Sequence, residues 1–358
     1  MKIITFYLPQ FHEIEENNKW WGKGFTEWTS LKNASALFEG HNQPRIPLHK
    51  NYYNLLDDNV KMWQVNLANK YGVYGFCIYH YWFNGHMLLE KPLEQFKANT
   101  KLKIHYCISW ANESWTNAWV SDNAETLVEQ TYGNQDEWTV HFQYLLPYFL
   151  DDRYIKIDGK PLFIIYRPEL IDDIVPMLSL WNILAKENGL PGIAFTSQQM
   201  YFDINSPVGK KYFSYQIEYQ PDLAKIKLNS PRTIKNGKKN LLQRDYDEVW
   251  EKIIHSSPIS EKSIPGAFVD WDNTPRRHNS GSLFLGVTPE KFKKYLTLQI
   301  KHAKEDYKKD FLFLFAWNEW AEGGYLEPDE KWQYQYLESI RKALLDCGEY
   351  PEEDFQYE

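Results

Sequence analysis

Cysteine is scarce in this chain. Of 358 residues only Cys77, Cys107 and Cys347 are cysteines, and they form no metal or redox spacing; Cys77 and Cys107 sit in apolar strand-like runs and read as buried thiols. No run of about 18 apolar residues is present, and the opening Met1–Pro9 has no signal-type apolar region. The expectation is no membrane insertion and a cytoplasmic location, or a periplasmic or secreted one if a signal peptide has been removed. Positive charge is in deficit: 40 Lys and Arg against 48 Asp and Glu give a net charge of −8, which argues against nucleic acid as a partner. A carbohydrate imposes no such demand. No Ser-, Pro- or Gly-rich stretch divides the chain, so one domain over 1–358 is expected, with Lys225–Arg244 as a Lys- and Asn-rich surface excursion. No residue spacing gives a strong metal signal, and no cofactor is expected.

Aromatic residues are plentiful instead. They make up 17% of the chain, with 15 Trp and 25 Tyr, and many stand beside polar residues at the ends of apolar runs. There a ring offers a flat apolar face with a wet edge, the surface a sugar ring stacks on. The most informative stretch is 311–325. Phe311–Phe315 is an apolar run for a strand buried on both faces, the pattern of a parallel sheet. It leads into Trp317-Asn318-Glu319-Trp320-Ala321-Glu322-Gly323-Gly324-Tyr325. Carboxylates are costly to bury unless something uses or pairs them. Two of them among rings at a strand tip suit glycosidic-bond chemistry, in which one group protonates an oxygen and the other acts as base or nucleophile.

Eight apolar runs predict eight strands: Ile3–Phe11, Val73–Phe83, Ile104–Trp110, Leu162–Arg167, Ile193–Ser197, Tyr212–Tyr219, Ala267–Trp271 and Phe311–Trp317. Helical stripes fall between them at Asp58–Tyr71, Leu170–Asn188, Pro289–Tyr307 and Trp332–Leu345; Thr288 with Pro289 is a start signal, and Gly189 with Pro191 a stop. This alternation predicts an α/β fold, a (β/α)8 TIM barrel with a long structured loop after the first strand. An open doubly wound sheet is the alternative. It calls for a Gly-rich phosphate loop after the first strand, and Leu8-Pro9-Gln10-Phe11-His12 is not one.

In a barrel the C-terminal strand tips share one face, so the polar and aromatic tips nominate a site. The candidates for substrate contact are Tyr7, Tyr79, His80, Tyr81, Trp110, Asn112, Glu113, Tyr166, Arg167, Asp272, Asn273, Arg276, Trp317, Asn318 and Trp320. The His12–Asn59 connection is too long for an ordinary loop and adds Trp21, Glu27 and Trp28, with Trp20 beside them, as one wall of a cleft. The competing reading is a loop that buries its own tryptophans. Glu319 and Glu322 are the candidate catalytic pair. Alternatives are Glu113 paired with Glu319 across the barrel, or Glu319 as a structural carboxylate held by Arg167 or Arg276. Asp270-Trp271-Asp272 is nominally the Asp-x-Asp of metal-dependent sugar transfer, but its place at a strand end favours hydroxyl binding by Asp272 and Asn273.

These motifs resemble the WbsX-like family. The resemblance spans Ile3 to Pro328 and rests on 6–12, Trp21-Gly22-Lys23-Gly24-Phe25-Thr26-Glu27-Trp28, Tyr79-His80-Tyr81-Trp82-Phe83, 110–115, 158–163, 271–276 and 317–323. That family is similar to glycoside hydrolase family 99, the endo-acting α-mannosidases and α-mannanases. WbsX-like proteins occur in polysaccharide-assembly loci and carry a glycosyltransferase label, whereas family 99 resemblance implies a barrel hydrolase acting on an oligosaccharide or polysaccharide. It further implies a neighbouring-group mechanism, with Glu319 as base on the sugar 2-hydroxyl and Glu322 as acid/base. Family 99 has a His where this chain has Ala321.

Overall fold

The computed structural model describes residues 1–117, 125–198, 202–236 and 239–351. Eight strand positions form a nearly closed parallel barrel: β1 Lys2–Tyr7, β2 Val73–Phe83, β3 His105–Trp110, β4 Lys160–Ile165, β5 Ala194–Ser197, β6 Tyr215–Ile217, β7 Ser263–Ile264 with Gly266–Phe268, and β8 Phe311–Phe315. Every neighbouring pair in this sheet is parallel, and β1 lies between β8 and β2. The strands are buried almost throughout, which is why they read as apolar runs rather than alternating ones.

The seventh position closes the barrel in two pieces. Ser263–Ile264 pairs with β6, and Gly266–Phe268 pairs with β8. The break falls at Pro265, which has no N–H to donate, although its carbonyl still accepts from Phe313 N at 3.1 Å. A side chain at Gly266 would meet the Glu218 carbonyl at 2.0 Å, so only glycine lets the strand cross from one neighbour to the other here. The expected seventh strand, Ala267–Trp271, therefore starts earlier and ends at Phe268. The sixth shrinks from Tyr212–Tyr219 to three residues, and Tyr212 instead ends the helix Pro207–Tyr212.

The helical layer comprises α1 Asp58–Tyr71, α2 Lys91–Ala98, α3 Gln135–Phe149, α4 Ile174–Glu187, α5 Pro207–Tyr212, α6 Tyr246–Ile254, α7 Pro289–Glu305 and α8 Gln335–Asp346. The start of α7 follows its sequence signal: Thr288 accepts from Lys291 N, and Pro289 occupies the first turn. α1 ends at Gly72 with φ 84°, where a side chain would strike Leu344. The Lys225–Arg244 excursion is partly regular, since Arg232–Asn236 and Lys239–Asp245 form an antiparallel ribbon that Ser282–Leu285 joins. Among the described residues no helix is long and apolar enough to cross a membrane.

The long first connection is fastened to the barrel by buried charge. Arg45 Nη2 donates to Asp270 Oδ2 at 2.7 Å, and Arg45 Nη1 to the Gly323 carbonyl at 3.3 Å. Gln43 Nε2 donates to Asp272 Oδ2 at 2.7 Å, and His41 Nε2 lies 3.1 Å from the same oxygen. The connection thus folds over the tips that follow β7 and β8. Arg45 and Asp270 are both buried, so removing one partner strands the other's charge. Arg45→Ala is expected to lower unfolding free energy by about 3–5 kcal/mol, measured by urea titration at pH 7. A loss below about 1 kcal/mol, the scale of an exposed pair, would show that this contact does not hold the loop.

Candidate active site

Beyond β8 the chain turns back on itself. Asn318–Glu319 pairs antiparallel with Gly324–Tyr325, and Trp320–Glu322 forms a 3-10 turn between them. Three residues per turn bring positions 319 and 322 to one side of the backbone. The two glycines are required for different reasons. Gly323 has φ 76° and lies against Asp272, while a side chain at Gly324 would enter the Phe315 ring. Asn318 locks the turn to β1, with Leu8 N donating to its Oδ1 at 2.8 Å and its Nδ2 donating to the Leu8 carbonyl at 3.0 Å.

Glu319 and Glu322 line a cleft of about 400 Å³ at the strand tips, together with Trp21, Glu27, Tyr79, Tyr81, Glu113, Tyr166 and Arg276. Arg276 lies on the short helix Thr274–Arg277 that follows β7. Its Nη1 donates to Glu322 Oε1 at 2.6 Å. Its Nη2 reaches Glu27 Oε1 at 2.8 Å and Glu319 Oε2 at 3.3 Å. One cation thus faces three carboxylates. Burial, then the charge of Glu322, pushes the Glu319 carboxyl well above its ordinary range, against the pull of Arg276. Burial also raises Glu322; Arg276 opposes this, and Glu27 and Asp222 add to it. Such a pair holds a proton at pH values where ordinary carboxyls have lost theirs. The Arg276 contact does not seal the pair off, since both glutamates border the cleft.

Glu113, the rival carboxylate, borders the same cleft but is ion-paired with Arg167, and its side chain is 41% exposed. It lacks the burial that sets Glu319 and Glu322 apart. Arg167 also pairs with Glu169 and is absent from the lining.

Several other expected contacts are corrected, and strand parity explains three of them. Successive strand residues point to opposite faces, so only every second one reaches the barrel interior. Tyr79 and Tyr81 point inward, and His80 between them points out. It meets His141 Nε2 on α3 at 3.0 Å, stacks on Tyr144, and is driven down to a pKa of about 3 by burial. Trp110 also faces the helix layer, donating to the Trp82 carbonyl and packing on His141. Tyr7 donates to Gln64 of α1 at 2.7 Å. Trp317 and Trp320 turn their indoles to Glu327, at 3.1 and 2.7 Å. Asn112 ties the β3 tip to Arg167, bonding both its N–H and its carbonyl. Asn318 does the corresponding job between β8 and β1. Trp28 is buried under the first connection, donating to the Tyr53 carbonyl at 2.8 Å, and Trp20 packs edge-on against Trp115.

The Asp-x-Asp is structural as well. Asp270 is taken by Arg45 and the Trp271 N–H. Asp272 accepts from Thr274, Gln43 and His41. Burial alone would raise the Asp272 pKa, but the His41 bond and the Arg45 charge outweigh it and bring it to about 2. Asn273 holds the backbone of Ser282. Among the described residues no three metal-ligating side chains gather.

Residues not expected also line the cleft: Trp115, Tyr219, Asp222, Trp271 and Arg277. Tyr219 and Asp222 follow β6; Tyr219 ends the expected sixth strand, but neither was among the candidates. Glu327 went unnoticed too. It is buried behind the turn, accepting from Tyr53, Gln64, Trp317 and Trp320, and burial raises it to about 7 despite these donors.

The chain matches the family described as glycosyltransferase WbsX over residues 3–340 and belongs to it. Two curated relatives from Xanthomonas campestris pv. campestris, each called uncharacterized protein WxcX, are 33% identical over 353 residues. The match covers 96% of this chain and 49% of theirs, so the chain spans about half the length of these relatives. Among solved structures, a glycoside hydrolase-like protein superposes with a TM-score of 0.61 at 13% identity, over 96% of this chain and 93% of its own. A glycoside hydrolase family 99 endo-α-mannosidase from Bacteroides thetaiotaomicron does so with a TM-score of 0.57 at 14% identity, over 97% of both chains. These likenesses establish the (β/α)8 barrel-like fold.

Trp21 and Trp28 of the first connection separate by environment. Trp21→Ala is expected to weaken oligosaccharide binding by about 1–3 kcal/mol, on the scale of ring stacking, with little change in stability. Trp28→Ala is expected to cost about 3–5 kcal/mol of stability as a core truncation. Calorimetric titration of an oligosaccharide panel and thermal melting measure the two; binding unaffected by Trp21→Ala would remove that ring from the cleft's function.

Proposed function

We propose that this WbsX-family protein is a carbohydrate-active enzyme, a retaining, endo-acting glycoside hydrolase for an α-mannoside-like polysaccharide, with Glu319 and Glu322 as its catalytic carboxyls. The observation that carries this reading is the pair itself: two buried carboxyls, three residues apart, on an aromatic-lined cleft at the strand tips, both with raised pKa.

In the reaction, Glu319 removes the proton of the sugar 2-hydroxyl and O2 attacks C1. The glycosidic C1–O bond breaks as Glu322 protonates the leaving oxygen. The 1,2-anhydro sugar is then opened by water: Glu322 takes the water proton, the hydroxyl adds to C1, and Glu319 returns its proton to O2. Configuration is retained over the two inversions, and the cleft supplies proximity and the proton inventory. The 2-hydroxyl must lie trans to the leaving group, as in α-mannosides. Ala321 leaves out the family 99 histidine, so substrate contact at that point differs from family 99.

Two features favour variants of this scheme. Arg276 makes its shorter contact to Glu322, and the stronger upward push falls on Glu319. That pattern supports the reverse assignment, with Glu319 as acid and Glu322 as base. The family description supports transfer to a sugar hydroxyl in place of water, as in surface-polysaccharide assembly.

Leaving-group dependence tells the roles apart. Replacing the acid spares activated aryl glycosides, whose leaving groups need little protonation; replacing the base does not. Glu322→Gln is expected to abolish turnover of unactivated substrate and keep most activity on aryl glycosides, whereas Glu319→Gln loses about 10²–10⁴-fold on both. The opposite pattern assigns the reverse roles. Full activity of both variants would end the reading, and product formed only when an acceptor sugar is added would establish transfer.

A further inference from the structure

Glu27 stands apart from the other cleft carboxylates. It opens the helix Glu27–Lys32 in the first connection and belongs to no strand tip. Its Oε1 accepts two bonds, from Arg276 Nη2 at 2.8 Å and from the backbone N–H of Ala321 at 3.1 Å. Ala321 lies in the turn between Glu319 and Glu322, and Arg276 is the cation that touches both. A single carboxylate oxygen therefore grips the backbone that carries the pair and the charge that neutralises it. The Glu27 side chain is 2% exposed, against 7% for Glu319 and 10% for Glu322. Its own position is fixed, since Glu27 N donates to the Gln10 carbonyl at 2.9 Å, and Thr26 and Thr29 cap its helix reciprocally.

We propose that Glu27 is a positioning residue for the carboxyl pair rather than a substrate ligand, holding the Glu319–Glu322 turn in place through Ala321 and, through Arg276, governing how readily the pair keeps its proton. The proposal rests on the reading that this pair does the chemistry. The other groups facing the pair are Asp222 and Lys225 beyond β6, Tyr79 and Tyr81 of β2, Tyr166 after β4, and Tyr219. Glu27 differs from them in bonding both the turn and the guanidinium that spans the pair.

The sign of the electrostatic effect follows from linkage. Both glutamates have folded-state pKa values above the unfolded value of about 4.3, so the folded chain binds the extra protons. Their contribution to stability is greatest at low pH and is lost as pH rises from that value through the folded pKa. The charge of Glu27 raises both folded pKa values, so Glu27→Gln, which keeps an acceptor oxygen but no charge, must flatten this loss.

The test uses the full chain without substrate. Thermal melting is followed from pH 4 to 9 for the wild type, Glu27→Gln, the Glu319→Gln/Glu322→Gln double variant and the triple variant. The expected result is a shallower decline for Glu27→Gln than for the wild type, with no such difference between the double and triple variants. Parallel profiles for a folded Glu27→Gln chain, or a difference that survives in the double-variant background, would overturn the proposal. Kinetics supply the second arm. Glu27→Ala is expected to lower kcat by about 10²-fold, the scale of a small misplacement, with KM held within about threefold. Glu27→Gln should retain more activity and move the pH–rate profile to lower pH. A rise in KM with kcat unchanged would make Glu27 a substrate ligand and refute the proposal. If the wild type turns over no glycoside, the hydrolase reading fails alone, and the melting cycle still decides the role of Glu27.

Discussion

Three carboxylates and one guanidinium share the centre of this molecule. Arg276 comes from the segment after β7, Glu27 from the first connection, and Glu319 and Glu322 from the turn after β8. No two of the three carboxylates could stay charged side by side in a buried site without that cation, because like charges interact strongly where water is excluded. Burial outweighs the pull of that cation on the pair, so both glutamates keep a raised demand for protons. The same contact joins three chain segments far apart in sequence, so the geometry of the cleft and its proton inventory come from one set of bonds.

Behind this cluster lies a second set of buried polar groups that do not line its cleft. Glu327 collects two indoles, a tyrosine and a glutamine; Asn318 and Asn112 each tie two strand tips together; Arg45 and Asp270 pin the loop. Buried polar groups are costly unless satisfied, and satisfied ones hold a single arrangement. Such backing fixes where the Glu319–Glu322 turn sits at the rim of the cleft.

How much of this was legible depended on which rule each residue obeyed. The apolar runs of β1, β2, β3, β4 and β8 were readable because a parallel barrel buries both faces of its strands, and the Glu-x-x-Glu was readable because it follows such a run directly. β6 was drawn too long, because its apolar flanks belong to a helix end and a loop, and Tyr219 and Asp222 beyond it were not among the candidates. One error was of parity. Tyr7, His80 and Trp110 stand at the right height on their strands but face the helices, and a continuous apolar run carries no alternation from which to tell the faces apart. Asn112, Asn318, Asp272 and Asn273 failed differently: polar groups at strand tips served the loops rather than a ligand, and only their partners reveal that.

The uneven length of the strands has a mechanical consequence. β2 and β3 pair over six registers from Gly75↔His105 to His80↔Trp110, and β1 is flanked by long pairings on both sides. β6 is held by two registers on each edge, Tyr215↔Thr196 and Gln216↔Ser197 on one, Gln216↔Ser263 and Ile217↔Ile264 on the other. Local opening costs least where the fewest protected hydrogen bonds must break. The shortest pairings therefore run along β6, beneath Tyr219 and Asp222, while the carboxyl pair hangs from the longer pairing between β8 and β1. The cleft thus has one wall that hangs from the longer pairings and carries the carboxyl pair, and a facing wall that hangs from the shortest.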